Sequence, residues 1–315
     1  MSEVLHDRMP SLGPLWLAAL RGRPGLSEGA TLPRIAHRVA VFQVDGGWLK
    51  SFGKVTGMAI GANLPATVPQ AVALPLHMAV LTSPLFPLPL LGAVHVRQRI
   101  EVIASLPWDA RLAIACAVEG GRRVRRGVEV DLITEVEHEG RLCWRGVTTF
   151  LSQGPRSDDA AAKAKTPRQG DGGGPQGAAP REEADGDRVA AFAAEPPPDP
   201  EISAIWRLPA DLGRRFAAVA GDRNPIHLYP LTARPFGFKQ PIIHGMWTLS
   251  RALTALQAET PEPGAVISCR FRKPLPLPGS ARLLGWTVAG GHGFQVLDAK
   301  GRVAVEGGVA HSEAS

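Results

Sequence analysis

The stretch GMWTLSRALTALQ, Gly245 to Gln257, decides how the second half of this sequence is read. Met246, Leu249, Leu253 and Leu256 recur at spacings of three, four and three, the period of one helix face. Pro261 and Pro263 stop the pattern. Downstream the period changes to two. EPGAVISCRFRKPL (Glu262 to Leu275) and ARLLGWTVAGG (Ala281 to Gly291) precede GFQVLDAKGRVAVEGGVAHS, where a turn at DAKGR joins two alternating runs. One buried helix followed by antiparallel strands is the pattern of a sheet wrapped around a helix.

The first half repeats this order. LPLHMAVLTSPLF (Leu74 to Phe86) is its helical candidate, cut by Pro84. PLLGAVHVRQRIEV and ARLAIACAVEG follow, sharing GAV and ARL with the second half, and VEVDLITEVEHEGRLCWRGVTTFLS forms a hairpin at EHEGR. Between the halves the composition shifts to Gly, Ala, Pro and charge, too poor in large apolar residues to offset the entropy of ordering. Three segments are therefore expected: an N-terminal unit over 1–155, a flexible linker over 156–195 and a C-terminal unit over 196–315. Two helix-and-sheet units on one tether suggest an intramolecular pair.

The chain has 315 residues, 44% hydrophobic, enough for a sizeable core. Its formal net charge is +6, which raises the question of an anionic partner. Basic residues are scattered apart from clusters such as GRRVRRG (Gly121 to Gly127), and the aromatic fraction of 6% lacks the interleaving that single-strand binding uses. No nucleic-acid partner is expected. Cys116, Cys143 and Cys269 lie far apart, so neither a disulfide framework nor a CxxC metal site is visible. His37, His77, His95 and His138 have no metal-ligand spacing. The charged N-terminus lacks a signal-peptide core, no run of about 18 apolar residues follows, and AHSEAS carries no peroxisomal address. A cytoplasmic enzyme without a membrane partner is the expectation.

Upstream of the helix lies AAVAGDRNPIHLY, Ala217 to Tyr229. Gly221 permits backbone angles closed to other residues, and Pro225 biases Asn224 away from helix. The segment is a stiff turn. Two readings are open: Asp222 and Asn224 cap the turn while His227 sits in the core, or Asp222 and His227 fold back to hold a water and move its protons. Next comes PIIHGM, with Gly245 at the helix start, where unpaired N–H groups suit a developing oxyanion.

GDRNPIH followed by Ala233, FGF and IIHGM closely resembles the MaoC-like dehydratases, the R-specific enoyl-thioester hydratases. The match covers some forty residues of the second half, and the first half resembles the N-terminal part of the double type. The resemblance implies an α+β double hot dog fold, two antiparallel sheets each wrapped around a central helix. It implies Asp222 and His227 as the catalytic pair and Asn224 as an orienting residue. The Gly245 amide would face the thioester oxygen, with His244 and Met246 beside it. The implied reaction is reversible hydration of a trans-2-enoyl thioester to an (R)-3-hydroxyacyl thioester. It needs no metal or redox cofactor, coenzyme A or phosphopantetheine being part of the substrate.

The first half departs from this pattern. It has no Asp with a His five residues later, and His77 is followed by Met78 where His244 is followed by Gly245. One active site per chain is expected, the first half serving either to shape the acyl pocket or only to pack. Arg270 and Lys273 of RFRKP are candidates for the carrier phosphate, or belong to a solvated strand face, as do Arg97 and Arg99. GRRVRRG either docks an acyl carrier protein or is a charged hairpin end. A monomer with an internal pseudo-dimer and a homodimer both remain open. Rival functions are a hot dog thioesterase and a non-catalytic acyl-thioester binding subunit.

Overall fold

The computed structural model describes residues 2–27, 29–153 and 196–311, so the expected linker lies outside the described residues. In chain order the first half gives β1 (Ser2–His6), α1 (Leu12–Ala19), β2 (Ile35–Gln43), α2 (Gly46–Thr56), α3 (Val68–Val72), α4 (Leu74–Thr82), β3 (Val94–Val102), β4 (Arg111–Val124), β5 (Gly127–His138) and β6 (Arg141–Gln153). The second gives β7 (Ile202–Leu208), α5 (Leu212–Ala220), α6 (Pro230–Ala233), α7 (Gly245–Ala255), β8 (Ala265–Phe271), β9 (Gly279–Val288), β10 (Gly291–Asp298) and β11 (Val303–His311).

The strands form one sheet in the order β1-β2-β4-β5-β6-β3-β8-β11-β10-β9-β7. Read inward from either end, β2-β4-β5-β6-β3 and β7-β9-β10-β11-β8 have the same plan, so the repeat seen in the sequence is a repeat in space. The two expected sheets are continuous because β3 pairs antiparallel with β8, from Arg97 opposite Arg270 to Glu101 opposite Val266. Among the described residues only the added strand β1 runs parallel to its neighbour. Joining the inner edges this way satisfies backbone groups that would otherwise sit unpaired at a buried edge.

Helix and strand residues share one buried core. Leu249 and Leu253 of α7 are wholly buried, as the spacing predicts, but Trp247, Thr248, Ser250 and Ala252 are buried as well, so the helix is enclosed well beyond one stripe. Met246 is only half-buried and turns to a cavity. The first-half candidate ends at Thr82, one residue before Ser83 and two before Pro84.

The expectation of one helix per half is corrected by α1, α2 and α5. The signal in α5 was Leu212, Phe216, Ala217 and Ala220 on one buried face, hidden by its short length and by Arg214 and Arg215 within it. These helices stitch the halves together through indole N–H groups. Trp16 donates to the Gly221 carbonyl at 3.1 Å, Trp48 to Val219 at 2.7 Å and Trp247 to Val55 at 2.9 Å. Phe52 of α2 meets Phe216 of α5 with ring centroids 6.0 Å apart.

Ile100 and Ile267 face each other across the β3–β8 seam and are both 0% exposed. Truncating either to Ala should cost about 2–5 kcal/mol. The double variant should lose less than the sum of the two, because both vacate one space. Urea unfolding midpoints check this.

Candidate active site

The loop after α5 begins with Gly221, whose φ of 76° is left-handed. A side chain is excluded there twice over: the backbone conformation disfavours one, and a Cβ would stand 2.5 Å from Cδ1 of Leu12 in α1. Asp222 follows at once. Its Oδ1 accepts the Asn224 backbone N–H at 3.1 Å, so the capping reading of the turn is correct as far as it goes. Asn224 is extended, as a residue before proline should be, and Pro225 to His227 form a single 3-10 turn. The Asn224 side chain donates through Nδ2 to Ala93 O at 3.2 Å, tying the loop to the residue before β3.

The turn also brings the acid and the imidazole together. One side-chain nitrogen or oxygen from each of Asp222, His227 and His244 lies within 4.8 Å of the others. The rings of His227 and His244 stack with centroids 3.7 Å apart, and Phe216 packs on His244 at 4.9 Å.

Each imidazole has its proton placed by a backbone carbonyl, which can only accept. His227 Nδ1–H donates to Ile242 O at 2.7 Å, so Nε2 keeps the lone pair. His244 Nε2–H donates to Asp222 O at 3.0 Å, so its lone pair is on Nδ1. Burial pushes both below the usual imidazole range. His244 falls to about 3, lowered further by the neighbouring His227; for His227 the nearby Asp222 opposes the shift. Both are neutral at pH 7. Asp222 is the more open partner, with 35% of its side chain exposed.

His244, expected beside the thioester oxygen, does line the cavity described below. Its one proton is spent on the Asp222 carbonyl, so it has none to give an oxyanion; it buttresses His227 and the loop. The same proton bears on metal binding. The His244 nitrogen 3.9 Å from Asp222 Oδ2 is Nε2, which as an N–H offers no lone pair to a cation.

Asp222, Asn224, His227, His244, Gly245 and Met246 all line a cavity of about 230 Å³ between the two halves. Gly245 is the first residue of α7, whose opening amides have no partner within the helix. The absence of a Cβ makes room for Phe271 as well as for a ligand, since a Cβ there would stand 2.8 Å from the Phe271 ring. Lys273 lines the cavity and is exposed. Arg270 does not line it, which corrects the other half of the phosphate pair: it sits within β8 between Arg97 and Glu306, its Nε buried without a partner.

Of the further lining residues, one lies in the GRRVRRG cluster and others were not singled out in the sequence as site residues. Arg126, at the tip of the β4–β5 hairpin, is exposed and lines the cavity. In GRRVRRG, Arg122 is spent on Glu129 and Asp131 and Arg123 on the Leu26 and Ser27 carbonyls. His95 and Gln70 also reach the cavity from the first half. His95 packs on Phe271 at 4.6 Å, and burial holds it down to about 4. A lone histidine in a strand and a glutamine in a five-residue helix gave no local pattern to find them by.

A model of the MaoC like domain matches residues 194–308. The 3-hydroxyacyl-thioester dehydratase X of Mycobacterium tuberculosis is 32% identical over 266 residues, 84% of this chain and 85% of that one. The 3-hydroxybutyryl-CoA dehydratase of Methylorubrum extorquens is 40% identical over 63 residues, 19% of this chain and 40% of its own length. Among solved structures, HtdX from Mycobacterium tuberculosis superposes with a TM-score of 0.70 at 28% identity, covering 88% of this chain and all of that one (100%).

Because His77, His95 and His244 stay neutral when folded, at about 3, 4 and 3, the unfolded chain takes up protons near pH 6.5 that the folded chain refuses. Stability is then full above pH 6.5 and is lost as pH falls below it. Urea midpoints should drop between pH 7 and pH 5, and the drop should be smaller for His77→Gln.

Proposed function

This chain belongs to the MaoC-like dehydratases, and on that footing we propose that it reversibly adds water to trans-2-enoyl thioesters to give (R)-3-hydroxyacyl thioesters. The observation that carries the reading is a neutral His227 with its Nε2 lone pair unspent, within reach of the Asp222 carboxylate, on a cavity wall that also holds a helix start.

Asp222 and His227 are both acceptors towards the cavity, so the molecule they hold together is one with two protons to give, namely water. The dyad takes one proton from that water while its oxygen bonds to C3 of the substrate. The electron pair of the C2–C3 double bond moves onto the thioester, forming an enolate whose oxygen the Gly245 amide stabilises, by roughly 3 kcal/mol for such a donor. C2 then takes a proton from the dyad. The sum is H on C2 and OH on C3, with the protein unchanged, and dehydration runs the same steps backwards. No redox change occurs, and no metal is needed for it.

The carrier, coenzyme A or the phosphopantetheine of a carrier protein, enters where Arg126 and Lys273 stand exposed at the cavity edge. Both cations are without ion pairs among the described residues, which suits a phosphate. The first half supplies cavity wall and no second dyad, so one chain makes one site. Three buried free cysteines fit a cytoplasmic setting. No helix among the described residues is long and apolar enough to cross a membrane.

Hydration of crotonyl-CoA, followed by loss of absorbance of the conjugated thioester and chiral analysis of the product, tests the reading. Asp222→Asn and His227→Ala should each lower kcat by about 10²- to 10⁴-fold. Release of free thiol without hydration would replace this function with thioester hydrolysis. On the acid side, kcat/KM should fall with an apparent pKa below 6.5, since His227 works as a base only when neutral and burial lowers its pKa. Dialysis against EDTA should leave the rate unchanged.

A further inference from the structure

The inner wall of the cavity comes from the first half: Gln70 of α3, with Ala71, Leu74 and His77 following it towards and along α4. Gln70 and His77 are polar yet only 5% and 2% exposed, whereas Arg126 and Lys273 on the same cavity are open to solvent. Depth therefore runs from the two cations to Gln70. A carrier arm enters at the cations, so the far part of an acyl chain lies towards Gln70. An alkyl chain gains nothing against an amide.

The Gln70 amide is oriented by a relay in which each step forces the next. Gln98 Nε2 donates to Arg99 O at 3.1 Å, so Gln98 Oε1 is an acceptor. It receives the Thr148 hydroxyl proton at 2.8 Å. Thr148 Oγ1, its proton spent, accepts from Gln70 Nε2 at 2.7 Å. Gln98 and Thr148 are 1% and 0% exposed, so water does not loosen the chain. What remains is Gln70 Oε1, buried and without a hydrogen-bond partner among the described residues. Such an oxygen is costly to leave bare, and only a donor can satisfy it.

We infer that Gln70 Oε1 is a specificity determinant that selects enoyl thioesters carrying a hydroxyl group on the acyl chain beyond the double bond. This rests on the hydration reading above. A hydroxyl supplies the missing proton; a methyl leaves the oxygen bare, and a ketone sets an acceptor against an acceptor. Sites built to hydrogen-bond a substrate hydroxyl discriminate strongly against analogues that lack it.

The test compares trans-2-hexenoyl-CoA with its 5-hydroxy and 5-oxo counterparts on the full chain, measuring kcat/KM for each. The wild type should favour the hydroxy over the plain substrate by about tenfold or more. Gln70→Leu should bring that ratio to about one or below. Thr148→Val keeps Gln70 but frees its amide to turn and present Nε2, so the oxo substrate should gain on the hydroxy one. A hydroxy-to-plain ratio that survives Gln70→Leu, or a wild type that prefers the plain chain, overturns the inference while leaving hydration standing. If the wild type hydrates none of the three, the hydration reading falls and takes the inference with it. Should Gln70→Leu not fold, the oxo-to-hydroxy ratio of Thr148→Val decides alone.

Discussion

The pairing of β3 with β8 is the constraint on which the rest depends. It sets two similar helix-and-sheet units edge to edge, with a cavity lined by residues of both. Strand β3 carries His95 and follows Ala93, the anchor of Asn224, while β8 ends in Phe271, which fills the space left by Gly245. A slip of one residue in this register would turn each of these side chains to the opposite face of the sheet.

Within that frame, the chemistry comes from two backbone carbonyls. Ile242 O and Asp222 O each accept one imidazole proton and so decide where the remaining lone pairs lie. The stacked neutral rings therefore differ in which nitrogen keeps its lone pair, and the proposed function gives His227 the part of base and His244 that of support. Burial enforces the neutrality that this division requires. His244 stacks on its neighbour and donates its proton to the loop backbone.

Local signals were legible in the sequence because they are local physics. The period of α7, the hairpins at EHEGR and DAKGR, and the turn chemistry of Gly221 and Pro225 each depend on residues close in the chain. The repeat was legible too, since both halves obey one pattern. Contacts across the two halves were not. Nothing in RFRKP says that Arg270 stays in the strand while Lys273 reaches the cavity, because that follows from where β8 ends. The spent proton of His244 depends on a carbonyl 22 positions away. Gln70 gains meaning only from Thr148 and Gln98, which a linear reading places in unrelated strands.

Trp16, whose indole holds the carbonyl just before Asp222, leaves the ribosome long before the loop it braces. The loop in turn rests on residues beyond β8, since Ile242 bridges Pro276 and the Ile243 N–H donates to Leu275 O. The strut is thus made before the loop, and a chain that has not yet passed β8 lacks the partner on which Ile242, the residue that holds His227, is bridged.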